Sequence, residues 1–287
     1  VHTRFAVRRL TEMIEERRPD LVISTYAFLT YEVMRVLEKL DRSIPFIMLF
    51  SDPNGVHEAW LTEKGAAATF ATSEENYRQA EHSGFPPERL HLTGWPVRKQ
   101  FREIPAGVRA DVLAELGLDP HRFTVFLQGG GEGAARFAET VENAIAIPDL
   151  QIILAAGTNE KLQRQFAGRE RVGVIPFTPR IAPYMAAADL VMGKAGPNML
   201  FETVTLGKPF IATTFIPGQE EVNLEFIERH ELGWVALETT RQRELLMCLR
   251  DRPDSLSRME QTVAAYQEWN ASANARITRV TRELLGS

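Results

Sequence analysis

The chain has 287 residues, 44% of them hydrophobic and 25% charged, the balance of a soluble globular protein with length enough for two domains. Lys and Arg total 33 against 38 Asp and Glu, a formal net charge of −5, which excludes broad electrostatic binding to nucleic acid. The single cysteine, Cys248, excludes an intrachain disulfide and favours a reducing compartment; its place in the apolar run LLMCLRD reads as a buried, inert thiol. The longest apolar runs fall far short of the ~20 residues of a spanning helix, and no signal peptide is visible.

Residues 3–18 show helical spacing of Phe5, Val7, Leu10, Met13 and Ile14, closed by Pro19. A short β-branched run at 21–24, a helical pattern over 28–40 and apolar runs at 45–50 and 68–71 follow. Ser73 then caps a helix reaching His82, with Gly84 as its stop signal. Residues 90–92 lead into the turn Gly94-Trp95-Pro96-Val97-Arg98. This array begins on a helix, as if its opening strand were missing.

Pro105 and Gly107 break the pattern and mark a hinge. A second array carries strand patterns at 124–128, 151–156, 172–176, 190–192, 209–213 and 234–236, with helical patterns between most of them. The tail, 253–285, is helical in pattern. Strands alternating with helices predict an α/β protein with mainly parallel, doubly wound sheets. The expected division is a first, incomplete Rossmann-like domain over 1–104, a second over 108–268, and a terminal helix over 269–287 packing back on the first. Two such domains would face one cleft.

Candidate chemistry gathers where strands end, because an open α/β sheet builds its ligand crevice at the carboxyl edge. Gln128-Gly129-Gly130-Gly131-Glu132-Gly133-Ala134 runs from a strand through glycines into a helix, a seat for a diphosphate. It also satisfies G-x-G-x-x-A, so a dinucleotide cofactor is an alternative. That fingerprint needs an acid at the end of the second strand, where Leu154-Ala155-Ala156-Gly157 supplies none. A structural tight turn is the third reading.

Lys194-Ala195-Gly196-Pro197-Asn198 ends the fourth strand of the second array and opens a helix. Lys194 suits a phosphate, and Glu202, one turn in, suits the two hydroxyls of a ribose or a solvated first-turn position. Gln219 and Glu220 follow Pro217-Gly218 and can hydrogen-bond sugar hydroxyls, or form a polar turn. Phe177 and Thr178 can hold a base by ring packing, or Phe177 can lie in the core. In the first array Ser51-Asp52-Pro53-Asn54-Gly55-Val56-His57-Glu58-Ala59-Trp60 follows a strand; Asp52 can accept a proton from a hydroxyl nucleophile with help from His57, and the same residues are a strong turn signal. Arg98, after Pro96, can reach a phosphate or sugar across the cleft, or form a salt bridge. There is no metal-ligand spacing and no Gly-x-Ser-x-Gly elbow.

Together these motifs resemble the family-28 glycosyltransferases of GT-B architecture, and most closely the monogalactosyl- and glucosyl-diacylglycerol synthases. Gly-Gly-Gly-Glu-Gly, Lys-Ala-Gly-Pro, Ile216-Pro-Gly-Gln-Glu-x-x-Asn223 and Asp52…His57…Trp60 carry the likeness, which covers nearly the whole chain. It implies an inverting, metal-independent transfer of hexose from UDP-glucose or UDP-galactose, a substrate and not a cofactor, to diacylglycerol at a membrane surface, by a cytoplasmic peripheral enzyme.

By the resemblance Gly130, Gly131 and Glu132, with Lys194, Ala195, Gly196, Pro197 and Asn198, hold the diphosphate and sugar. Phe177 and Thr178 take the uracil, Glu202 the ribose, Gln219 and Glu220 the hexose, and Arg98 closes from the opposite domain. Asp52 and His57 are the catalytic candidates; Asn54 and Trp60 lie on the acceptor side. The family opens with a strand and a glycine-rich loop carrying a histidine, upstream of the point where residues 1–287 start, so a fragment is the expectation. Other readings are a nucleotide-sugar-binding module without turnover, the sister branch that adds N-acetylglucosamine to a lipid-linked peptidoglycan precursor, and a UDP-sugar epimerase of the same shape.

Overall fold

A computed structural model describes residues 2–40, 43–129 and 134–286. The chain forms two compact units, residues 1–96 with 270–287 and residues 97–269. Among the described residues no helix is long and apolar enough to cross a membrane.

The first unit is built on four parallel strands, β1 (Val22–Ser24), β2 (Phe46–Leu49), β3 (Ala68–Ala71) and β4 (Leu90–Leu92), in the spatial order β1-β2-β3-β4. Parallel neighbours need helical crossovers, which cover both faces, so the central strands FIML and ATFA are apolar throughout. On one face Phe46, Met48, Phe50 and Trp60 pack with Val33, Val36 and Leu37 of the helix Thr30–Lys39. On the other, Ile47, Ala68 and Phe70 pack against Val280 of the terminal helix Ala273–Leu285. The helix Glu74–His82 starts with a reciprocal capping box, Ser73 Oγ accepting from Asn76 N at 3.2 Å and Asn76 Oδ1 from Ser73 N at 3.2 Å.

The second unit holds β5 (Phe123–Gln128), β6 (Leu150–Gly157), β7 (Val172–Pro176), β8 (Leu190–Lys194), β9 (Phe210–Thr214) and β10 (Gly233–Val235), all parallel, in the order β10-β9-β8-β5-β6-β7. The chain winds outward from β5 to β7, returns to the other side of β5 and continues through β10. This is the Rossmann strand order, and its direction reverses between β5 and β8. Crossovers diverge there, which opens a crevice at the carboxyl ends of those two strands.

β8 extends two residues beyond its apolar run because Gly193 and Lys194 continue the ladder to Ala212 and Thr214 across a register shift. A Cβ at Gly193 would stand 2.8 Å from Gln128 O, so glycine is what lets β8 lie this close to β5 at the reversal point.

Cys248 is exposed, against the buried thiol expected from its apolar neighbours. The helix Thr239–Asp251 buries Gln242, Leu245, Leu246 and Leu249, a 3.6-residue stripe that leaves position 248 on the solvent side.

Candidate functional site

A cavity of about 620 Å³ opens at the carboxyl edge of the second sheet. Its floor is Gln128 and Gly129 from the end of β5, Ala155 to Asn159 from the end of β6, and Pro176 to Pro179 from the end of β7. Arg98 and Glu202 form part of the wall. Gly129 is demanded by packing, since a Cβ there would meet the Phe137 ring at 2.7 Å.

Glu202 lies in the helix Pro197–Thr205, and its side chain is 14% exposed. Burial raises its pKa, an effect that Arg98 opposes. Arg98 places both Nε (2.9 Å) and Nη2 (2.8 Å) on one oxygen, Oε1. The guanidinium also stands over the buried Phe101 ring, 5.0 Å from its centroid. The short helix Lys99–Arg102 behind it is tied to the loop after β7: Gln100 Nε2 donates to Pro179 O at 2.9 Å, and Gln100 Oε1 accepts from Ala182 N at 3.3 Å. Arg98 therefore belongs to the second unit, with Glu202, and not to the opposite domain as the resemblance implied.

The helix Pro197–Thr205 begins at Gly196 with no side-chain cap, and its first residue is a proline. Leu200 N already donates to Gly196 O at 3.1 Å. The first-turn amides of Asn198 and Met199 have no intrahelical acceptor, and the helix dipole adds partial positive charge, a combination suited to an anion. Ala195 is buried and leaves room for close approach.

Lys194, at the end of β8, is ion-paired with Glu220. Glu220 is itself buried, and its Oε2 accepts from Ile216 N at 2.9 Å. The carboxylate expected to meet a hexose thus has both oxygens engaged, whereas Gln219 beside it is exposed. Asn223, 2% exposed and in the helix Glu221–Arg229, donates Nδ2 to Ala195 O at 2.8 Å and so ties that helix to the Lys194-Ala195-Gly196 turn; among the described residues its Oδ1 has no hydrogen-bond partner.

Phe177 is 71% exposed, not a core residue, and its amide donates to Gly157 O at 2.9 Å. Thr178 Oγ1 accepts from Arg180 N at 3.1 Å, which fixes the loop beside it. Gly157, Thr158 and Asn159 share the cavity without having been singled out in the sequence. Their signal was the one used elsewhere, small and polar residues at a strand end, with Asn159 Oδ1 capping the next helix by accepting from Leu162 N at 3.0 Å. Gly130, Gly131 and Glu132 lie outside the described residues.

In the first unit the loop after β2 is held firmly. Asn76 Nδ2 donates to Asp52 O at 3.1 Å, and Gln79 brackets Val56, accepting from its amide at 2.7 Å and donating to its carbonyl at 3.1 Å. Trp60 is buried against Phe50 and reaches the loop through its indole N–H, 3.4 Å from Asp52 Oδ2. Burial raises the pKa of Asp52, against the opposing pull of that hydrogen bond and of His57. His57 Nδ1 accepts from Ala59 N at 3.1 Å, which assigns the ring proton of the neutral form to Nε2. Asn54 is partly exposed on the same loop.

Two parallel-sheet α/β units, the second in Rossmann order with an acid at its strand-edge cavity, define the GT-B class of architecture. Residues 124–271 match the glycosyltransferase family 28 C-terminal domain, and residues 2–97 match monogalactosyldiacylglycerol (MGDG) synthase. The chain belongs to glycosyltransferase family 28. It is 28% identical over 243 residues to the chloroplastic monogalactosyldiacylglycerol synthase of Spinacia oleracea, covering 80% of this chain and 46% of that protein. To monogalactosyldiacylglycerol synthase 1 of Arabidopsis thaliana it is 27% identical over 242 residues, 80% of this chain and 45% of that one. The chain spans about half the length of the curated relatives it matches.

Solved structures share the fold. Anabaena Alr3699/HepE in complex with UDP-glucose aligns with a TM-score of 0.61 at 15% identity, over 98% of this chain and 82% of that one. The UDP-GlcNAc 2-epimerase of Neisseria meningitidis bound to UDP-GlcNAc aligns at 0.65 and 16% identity, over 98% and 81%.

Proposed function

We propose that this protein binds a uridine diphosphate hexose in the cavity at the carboxyl ends of β5, β6 and β7 and passes the hexose, with inversion, to the hydroxyl of diacylglycerol at a membrane surface. The observation that carries this reading is Glu202, a largely buried carboxylate on the wall of a cavity that also holds an exposed aromatic ring, in a helix that begins uncapped at Gly196. A nucleoside diphosphate needs those three things: a face to pack its base, an acceptor for the ribose diol, and amides for its phosphates.

Phe177 and Thr178 take the base and Glu202 the ribose. The diphosphate lies against the amides opening the helix Pro197–Thr205, with Lys194 beside it and Gly130, Gly131 and Glu132 completing the seat. Gln219 serves the hexose directly, and Glu220 serves it by holding Lys194. The acceptor oxygen forms a bond to the anomeric carbon as the bond to the diphosphate oxygen breaks; the hydroxyl proton goes to Asp52, whose burial keeps it more basic than an ordinary aspartate. Preoriented amides stabilise the departing charge without a metal, as they do at oxyanion sites. Asn54 and Trp60 stay on the acceptor side.

The names of the relatives and the UDP ligands of the structural neighbours support this reading. The test is transfer of labelled sugar from UDP-glucose or UDP-galactose to diacylglycerol in detergent, by a protein of the relatives' full length. Glycosyl-diacylglycerol is the expected product. Tight UDP binding with no product replaces the enzyme by a nucleotide-sugar-binding module, the second reading. Absence of UDP binding removes both.

A further inference from the structure

Arg98 spends two donors on a single oxygen of Glu202. No described protein group donates to Oε2, and the carboxylate lines the 620 Å³ cavity. A guanidinium free to choose would bridge both oxygens, since the fork-to-fork pairing is the stronger one. Here both donors go to Oε1. Arg98 stands at the start of the helix Lys99–Arg102, its guanidinium lies over Phe101, and Gln100 pins that helix to the loop after β7 at both ends of its amide.

Resting on the nucleotide reading above, we infer that Arg98 is a positioning residue: by clamping Oε1 from one side it turns Glu202 so that Oε2 alone meets the vicinal hydroxyls of the bound ribose. The side chain acts through Glu202 and has no contact of its own with the diphosphate. It also explains how a carboxylate this buried has a defined orientation, because Arg98, the cation beside it among the described residues, reaches it through Oε1. Binding energy for the ribose then depends on Arg98 through Glu202. Chain truncation at this side chain would leave Glu202 free to rotate between orientations, most of which present no oxygen to the diol.

The experiment is calorimetric titration of the 287-residue chain and its Arg98→Met and Arg98→Lys variants with UDP and with 2′,3′-dideoxy-UDP, which keeps the base and diphosphate but has no diol. The quantity read is the ratio of the two affinities. In Arg98→Met the ratio falls by about tenfold, the effect of one misdirected charge-assisted hydrogen bond, with dideoxy-UDP affinity almost unchanged. Arg98→Lys, which keeps one donor, recovers part of the ratio. An equal loss for both ligands would show that Arg98 touches the diphosphate or merely supports the fold, and would overturn the inference; so would an unchanged ratio. A wild-type chain that binds no UDP fails before any variant is compared, and takes the nucleotide reading down with it.

Discussion

Lys194 at the end of β8 is held by Glu220 from the loop after β9, and Glu220 in turn is held by the amide of Ile216 at 2.9 Å. One carboxylate thereby fixes both the cation beside the helix start and the course of the neighbouring loop. A Cβ on Gly196 would stand 3.0 Å from Lys194 Nζ and 3.3 Å from Glu220 Oε1, so any larger residue there would push on the ion pair.

Glu220→Gln keeps the shape and the acceptor for Ile216 but removes the charge opposite Lys194. With both side chains mostly buried, the expected cost is about 1.5–3 kcal/mol, the range for a hydrogen bond to a charged group. Urea unfolding followed by tryptophan fluorescence measures it. A change below about 0.5 kcal/mol, the scatter of ordinary surface substitutions, would mean the pair contributes nothing.

Glu202 gives a pH dependence whose sign runs two ways. Its pKa is raised in the fold above that of an ordinary glutamate, chiefly by burial, so its protonated form is the one the fold favours. The associated stability is fully present below the unfolded pKa and is lost as pH rises through the folded one. Glu202→Gln is therefore expected to raise the melting temperature at pH 7, by about 1–2 °C, with the advantage gone near pH 4. The same variant loses UDP affinity at pH 7, and wild-type affinity falls as acid protonates the carboxylate. Melting curves at the two pH values, with a titration beside each, decide the matter; an equal or lower melting temperature at pH 7 would contradict it.

Phe177 exposes most of its ring and contributes almost nothing to packing. Phe177→Ala should leave stability within about 0.5 kcal/mol of wild type. If the ring stacks on uracil, the loss in UDP affinity is about tenfold or more, from a stacking contribution of ~1–3 kcal/mol per base. Calorimetry with UDP separates this from a bystander role, in which affinity would not move.

Ser73 closes the capping box and also donates to the carbonyl of Pro53 in the Asp52 loop. Ser73→Ala should destabilise the first unit by about 1–2 kcal/mol through the lost cap. Because Asn76, the other half of the box, donates to Asp52 O, amide exchange across residues 51–56 should also quicken. An unaltered exchange pattern in that loop would disconnect the cap from it.

Alternation of apolar runs and helical spacing was enough to read both sheets, since strands covered on two faces must be apolar throughout and LQIILAAG or FIML can be little else. Ser73 was legible as a cap for the same local reason. Strand order was not, because nothing in a run such as LVMGK says which neighbour it will pair with. The side from which Arg98 acts depended on where the chain passes from one unit to the next, and that is set by contacts such as Gln100 to Pro179, remote in sequence. Glu220 was legible as a polar group at a strand end but not as the partner of Lys194, for the pairing needs β8 and β9 side by side. Cys248 misled because its neighbours are apolar in a row, while a helix buries only every third or fourth of them.

The last helix completes the first sheet. Val280 covers Ile47 and Phe70, Asn270 bonds both the amide (2.7 Å) and the carbonyl (3.0 Å) of Trp95, and Arg276 reaches Thr93 O at 3.2 Å. During synthesis residues 1–96 therefore emerge with this sheet face bare, and it is covered only once the helix Ala273–Leu285 has followed residues 97–269. Ending translation at residue 96 would strand that unit without the helix that shields Ile47 and Phe70.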